Sequence, residues 1–158
     1  MVIYYSYSKN TEKYAKELAG ILQAEAFELK ETKRRSGVAG FLSGGFQTLM
    51  KKESLVEALP DISACKEIYV CMPIWVGNVP PAVRYFLNRG DFAGKTVNLL
   101  ITCGSATEME GYRQNAEKTF KDAGCVTGAV LGFVCPMKKK EAAASEDIKE
   151  QLSAMLQK

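Results

Sequence analysis

The sequence predicts a three-layer α/β fold: a five-stranded, doubly wound parallel sheet with helices on both faces. Short, unbroken apolar runs of strand length recur along its 158 residues. They alternate with segments whose apolar residues return every three or four positions, the period of a helix with one buried face. Strands buried on both faces read as continuous apolar runs, which sets a helix-covered parallel sheet apart from a half-solvated antiparallel one. Five such units fit a single domain over residues 1–158, against a usual domain size of roughly 100–200 residues.

The elements follow in order. Residues 2–5 form the first strand, ended by Ser6-Tyr7-Ser8-Lys9-Asn10-Thr11. From Thr11 a helix carries Tyr14, Ala15, Leu18, Ala19 and Leu22 on one face. Residues 27–29 make a short second strand, and residues 67–74 a third of buried-strand length. Pro80-Pro81 suits the first turn of a helix, where a missing N–H costs nothing; that helix turns Val83, Phe86 and Leu87 inward and ends near Gly90. Residues 96–102 are the fourth strand. Thr107 to Glu110 has the spacing of a capping box, which predicts a helix with Tyr112, Ala116, Phe120 and Ala123 as its stripe. Residues 126–135 read as a fifth strand loosened by Gly128 and Gly132. A last helix follows Lys138-Lys139-Lys140, with Ile148, Leu152, Met155 and Leu156 on one face.

Composition excludes several chemistries. The chain has no histidine, so a Ser-His-Asp triad, a Cys-His pair and an H-E-x-x-H metal site are all impossible. Its five cysteines form no C-x-x-C pair and are odd in number, which argues against a disulfide framework or a zinc site and for a reduced, cytoplasmic setting. No apolar run reaches the roughly 18 residues of a membrane span. A net charge of +3 is too mild to mark a nucleic-acid-binding face.

In a doubly wound fold, ligands bind beyond the carboxyl ends of the strands. The loops after strands one, three and four are therefore the places to look. The first, Ser6 to Thr11, gathers hydroxyls, an amide and helix-start N–H groups, a setting for one terminal phosphate. Neither G-x-G-x-x-G nor G-x-x-x-x-G-K-S/T is present. Helix capping by Ser8 or Asn10 accounts for the same residues equally well.

The run Ser6-Tyr7-Ser8-Lys9-Asn10-Thr11-Glu12 resembles the S/T-x-S/T-G-N-T-E phosphate loop of flavodoxins. The stretch from Pro73 to Leu87 is similar to the P-x-W-x-G-x-x-P-x-x-V-x-x-F-L segment of flavodoxin-like flavoproteins, and Thr102 to Ser105 to their third flavin loop. The resemblance runs along the whole chain and is weakest over residues 30–65. It implies the strand order 2-1-3-4-5 and a non-covalent FMN site. Ser6, Ser8, Lys9, Asn10 and Thr11 would hold the phosphate. Pro73, Ile74, Trp75, Val76, Gly77 and Asn78 would flank one side of the isoalloxazine ring, and Thr102, Cys103, Gly104 and Ser105 its pyrimidine edge or other side. Lys9 departs from the family pattern, because lysine does not take a positive φ as cheaply as the usual glycine. Trp75, the one tryptophan, is suited to stacking on a flavin or to the core beneath the loop. A second stacking aromatic has no obvious counterpart; Met109 and Tyr112 are nearest, and Tyr112 fits the core stripe better.

Residues 30–52 set six basic side chains against Glu31, around an apolar series of Val38, Phe41, Leu42, Phe46, Leu49 and Met50 broken by Gly44-Gly45. A sheet-covering helix is the plain reading; a lid near the flavin, a partner surface and a membrane-touching stretch are its rivals. The expected function is a flavodoxin-like redox protein that passes electrons through FMN to a partner protein or small-molecule acceptor. The alternative is an FMN-dependent NAD(P)H or quinone reductase, and a homodimer is left open. A third reading is a binding module that kept the fold and lost the flavin.

Overall fold

The computed structural model describes residues 1–33, 37–135, 149–150 and 152–154. The strands are β1 (Val2–Tyr4), β2 (Ala26–Glu28), β3 (Glu67–Pro73), β4 (Thr96–Cys103) and β5 (Val126–Val134); the helices are α1 (Asn10–Leu22), α2 (Gly37–Leu49), α3 (Pro81–Leu87) and α4 (Met109–Asp122). All pairings are parallel, in the order β2-β1-β3-β4-β5 expected from the sequence. Among the described residues of the last expected helix, 149–150 and 152–154 are helical and Leu152 is fully buried; Lys138, Lys139, Lys140, Ile148, Met155 and Leu156 lie outside the described residues, as do Arg34 and Arg35.

Alternation along each strand sends side chains to opposite faces of the sheet. Val2, Tyr4, Tyr69, Cys71, Leu100 and Phe133 meet Tyr14, Ala15 and Leu18 of α1 together with Leu152. Ile3, Val70, Met72, Leu99 and Ile101 meet Val83 and Phe86 of α3 and Ala116 and Phe120 of α4. These are the inward positions that the helical spacing predicts, and they make three layers.

Two local expectations change. The capping box before α4 does not form: the helix starts at Met109, Glu108 occupies the cap position without a side-chain bond to the helix, and the Thr107 N–H donates to Ser105 Oγ at 3.3 Å. The glycines of β5 are sites of close approach. A Cβ on Gly132 would overlap the Met109 side chain, and one on Gly128 would overlap Asn98, whose Oδ1 accepts the Ala129 N–H at 2.8 Å beside the irregularity in β4–β5 pairing.

The second helix also departs from the plain reading. Of the described side chains of α2, Thr48 alone is buried, while Leu42, Phe46 and Leu49 are more than half exposed. The side chains of Val38 and Phe41 lie outside the described residues. Its closest approach is made by Gly44, which lies on the indole of Trp75, and Gly45 faces Val76. The chain leaving α2 is tied to α3: Arg89 pairs with Glu53 at 2.6 Å while stacking on Tyr85, and the Ser54 N–H donates to the Pro81 carbonyl. The helix therefore stands beside the carboxyl end of β3.

Candidate functional site

At the carboxyl ends of the strands lies a cavity of about 690 Å³, bounded by the loops after β1, β3 and β4, by Cys135 after β5 and by α2. Ser8, Asn10 and Thr11 line one end. Pro73, Ile74, Trp75 and Val76 form a wall, with Thr102, Cys103 and Gly104 on the strand-four side. Ser6, Lys9, Gly77, Asn78 and Ser105 adjoin it without lining it. The remaining lining comes from Tyr7, Leu42, Gly45, Phe46, Leu49 and Cys135, which were not among the expected site residues. The apolar spacing of α2 was the signal for its share, and Tyr7 lies within the first loop's motif; Cys135 carried none.

The first loop has the features of an anion cradle. The cap position of α1 is Lys9, held at φ 66° with no side-chain bond to the helix. The N–H groups of the first turn thus receive no side-chain cap, and capping by Ser8 or Asn10 is not what the structure uses. A helix start with free donors and its positive dipole end attracts anions. Ser6 Oγ is buried and has no hydrogen-bond partner, an arrangement that costs free energy unless a ligand atom completes it. Thr11 and Thr102 share a hydroxyl–hydroxyl bond of 2.8 Å, which fixes the first loop against the end of β4.

The second loop is a tight turn. Trp75 and Asn78 exchange backbone N–H···O bonds of 3.1 and 2.9 Å, and the residues between them, Val76 at φ 48° and Gly77 at φ 72°, are both left-handed. Two positive φ values in a two-residue loop are those of a type I′ turn, which glycine tolerates and a β-branched residue resists. Asn115 Nδ2 on α4 donates to the Gly77 carbonyl at 2.5 Å, and Asn78 Nδ2 donates to the Val76 carbonyl. Together they hold Val76, which is 60% exposed, at the cavity edge.

Trp75 has its body in the core. It is 7% exposed and meets Tyr5 and Tyr7 edge-on, with ring centroids 5.6 and 5.7 Å away. It both lines the cavity and seats α2. Tyr112 does not line the cavity: its hydroxyl donates to Glu108 and its ring lies near Gly77. Burial raises the pKa of the Cys103 thiol, whose Sγ donates to the Ser105 carbonyl at 2.9 Å, so Cys103 is a poor nucleophile at neutral pH. Among the described residues no group of histidine, cysteine or carboxylate side chains is placed to hold a metal, and no helix is long and apolar enough to cross a membrane.

Fold and site together define a doubly wound α/β protein with a cavity at the switch in strand order, one end formed by hydroxyl and amide side chains at an uncapped helix start and the rest largely apolar. A family model described as Flavodoxin matches residues 45–146, more than half of the chain. The chain belongs to the flavodoxin family. Among solved structures it is similar to a flavoprotein from Bacteroides uniformis ATCC 8492, with 23% identity, TM-score 0.74, and 97% of this chain and 96% of that chain covered. A flavoprotein from Lactobacillus acidophilus NCFM, solved in complex with FMN, is 19% identical over 83% of this chain and 90% of that one, with TM-score 0.69. Oxidised flavodoxin 1 from Bacillus cereus is 15% identical with TM-score 0.60, over 99% of this chain and 95% of that chain. At these identities the likeness is one of fold. No curated protein sequence matches.

Proposed function

We propose that this protein is an FMN-dependent redox protein that transfers electrons through a non-covalently bound flavin. The observation that carries the reading is the cavity's division of labour: Ser8, Asn10 and Thr11 at the uncapped start of α1 stand at one end of an otherwise largely apolar space, next to the buried, unpartnered Ser6 hydroxyl. Family membership and the FMN complex of the Lactobacillus acidophilus relative support it.

FMN, when bound, supplies the one- and two-electron chemistry that this side-chain set lacks. The chain's own residues bind and orient it. Ser6, Ser8, Asn10 and Thr11, with the first N–H groups of α1, hold the phosphate, and Lys9 adds positive charge beside them. Ile74, Trp75 and Val76 on one side, with Leu42, Phe46 and Leu49 of α2, exclude water from the ring. No charged side chain lines the cavity among the described residues, so no carboxylate opposes negative charge on a reduced ring. With a net charge of +3, this predicts a potential less depressed than that of acidic carriers.

A titration with FMN, followed by visible absorption and fluorescence quenching with riboflavin as control, tests the reading. Tight FMN binding with weak riboflavin binding supports it. Failure to bind FMN would sink it and leave a fold without its cofactor.

The exposed apolar side of α2 favours a second reading, an FMN-dependent NAD(P)H or quinone reductase, because it leaves the cavity mouth open to a flat, apolar substrate. Steady-state NAD(P)H oxidation with a quinone acceptor separates the two: turnover assigns a reductase, and its absence in FMN-loaded protein assigns a carrier.

A further inference from the structure

On the far side of the 75–78 turn is a second cleft, of about 220 Å³, between the end of α2, the helix α3 and the helix α4. Its chemistry is opposite to that of the flavin cavity. Lys51, Arg84 and Lys118 line it against one carboxylate, Asp122, and amide side chains make up much of the rest. Asp122 is engaged by Lys118 at 2.9 Å. Arg84 has no ion pair among the described residues, and its Nε is buried without any hydrogen-bond partner.

A guanidinium in that position is costly. Five N–H donors in a rigid fork are made to be satisfied, and a buried charged donor left unpaired forfeits hydration with nothing in return. Solvation is poor enough that burial lowers the pKa of Arg84 from its ordinary value. The neighbouring amides do not relieve it: no oxygen of Asn78, Asn88 or Asn115 accepts from Arg84 Nε, and their Nδ2 groups, which can only donate, bond to the Val76 carbonyl, Glu53 and the Gly77 carbonyl. What remains is a concave site with three cations, one of them half-desolvated, and a surplus of two positive charges.

We propose that this cleft is a second anion site, which binds the dianionic phosphate group of a small ligand through Arg84, with Lys51 and Lys118 completing the charge. The charge surplus matches a phosphate dianion, and the guanidinium fork matches its oxygens. The volume exceeds what the phosphate alone needs and leaves room for part of an ester. This site is independent of the flavin reading. It nevertheless shares the 75–78 turn with the flavin cavity, since Asn78 and Asn115 line the cleft while Val76 lines the cavity.

The test is a titration of ¹⁵N-labelled protein, in phosphate-free buffer at constant ionic strength, with inorganic phosphate and then with glycerol 3-phosphate. It is run with and without FMN, so that phosphate entering at Ser8 to Thr11 is distinguished from phosphate entering at Arg84. The expected result is a saturable shift of the Arg84 Nε–H resonance and of the backbone amides of 84–88 and 118–122, undiminished by FMN. Arg84→Gln should weaken that binding at least about tenfold. Lys118→Gln, at an exposed side chain, should weaken it about two- to fivefold and covers the case in which the Arg84 variant does not fold. Tighter binding of the ester assigns a phosphate monoester as ligand, and equal binding assigns free phosphate. The proposal is overturned if Arg84 does not respond, if chloride produces the same shifts, or if both substitutions leave the affinity unchanged.

Discussion

Replacing Gly44 with alanine tests whether α2 is seated on the tryptophan, and Gly20 in α1 provides a matched control. Both glycines lie inside helices. Glycine in a helix interior costs about 1 kcal/mol relative to alanine, so each substitution starts with the same gain. Around Gly20 a new Cβ would meet nothing within 4 Å, and Gly20→Ala should raise stability by about 0.5–1 kcal/mol. At Gly44 it would stand 2.5 Å from Trp75 Cζ3 and 3.2 Å from Cε3 and Cη2. Carbon atoms settle at about 3.5–4.0 Å, so ring or helix must give by about 1 Å. The ring cannot swing away freely, because Tyr5 and Tyr7 hold it edge-on. Overpacking of that kind costs about 1–3 kcal/mol, which outweighs or cancels the helical gain. The expected difference between the two variants is therefore about 1–3 kcal/mol, with Gly44→Ala the less stable. Urea unfolding read by tryptophan fluorescence and circular dichroism measures it, and the m-values check that both variants unfold in one step. If Gly44→Ala is as stable as Gly20→Ala, α2 does not rest on Trp75 and the cavity wall drawn from it is wrong.

Other outcomes follow from single features. Ser6→Ala should leave the stability of the flavin-free protein unchanged or slightly improved, since it removes a buried hydroxyl without a partner, yet weaken FMN about 10- to 100-fold and leave riboflavin unaffected; parallel fluorescence titrations decide. Val76→Asn turns the left-handed pair Val76-Gly77 into the Asn-Gly preferred by type I′ turns and should stabilise by about 1 kcal/mol, visible as a higher urea midpoint. Alkaline pH should destabilise the fold, because burial pushes the Cys125 thiol up to about 11 from its ordinary 9.0. Above the lower value the unfolded chain releases this proton while the folded chain keeps it, so stability falls as pH rises through that window. Urea midpoints measured across it should decline, and Cys125→Ala should flatten the slope; an unchanged slope would remove Cys125 as the cause.

The loops that build the cavity were legible in the sequence because they depend on local facts. Unbroken apolar runs mark strands with no solvated face, parallel strands put their ligand loops at one end, and Ser6 to Thr11, Pro73 to Val76 and Thr102 to Gly104 follow three such runs. The inward positions of α1, α3 and α4 were legible for the same reason, since periodicity records which face of a helix is buried.

Periodicity does not record what a face is buried against. Leu42, Phe46 and Leu49 have the spacing of a core stripe, but α2 turns them to the cavity because Gly44 meets Trp75 and Gly45 meets Val76. Gly128 and Gly132 looked like weak points in a strand and are places where Asn98 and Met109 come too close for a side chain. The left-handed backbone at Lys9 and Val76 goes against residue preference, and in the second loop it is sustained by a contact remote in sequence, Asn115 to Gly77, together with the local bonds of Asn78. Arg84, one basic residue among many in the sequence, is singled out solely by the lack of any hydrogen-bond partner for its buried Nε. Sequence by itself determined the layers and the end of the sheet where ligands belong, because burial and chain direction are written in local pattern. The cavity wall, the strained turn and the unpaired cation were decided by tertiary structure, because each is set by distances between segments that no local pattern encodes.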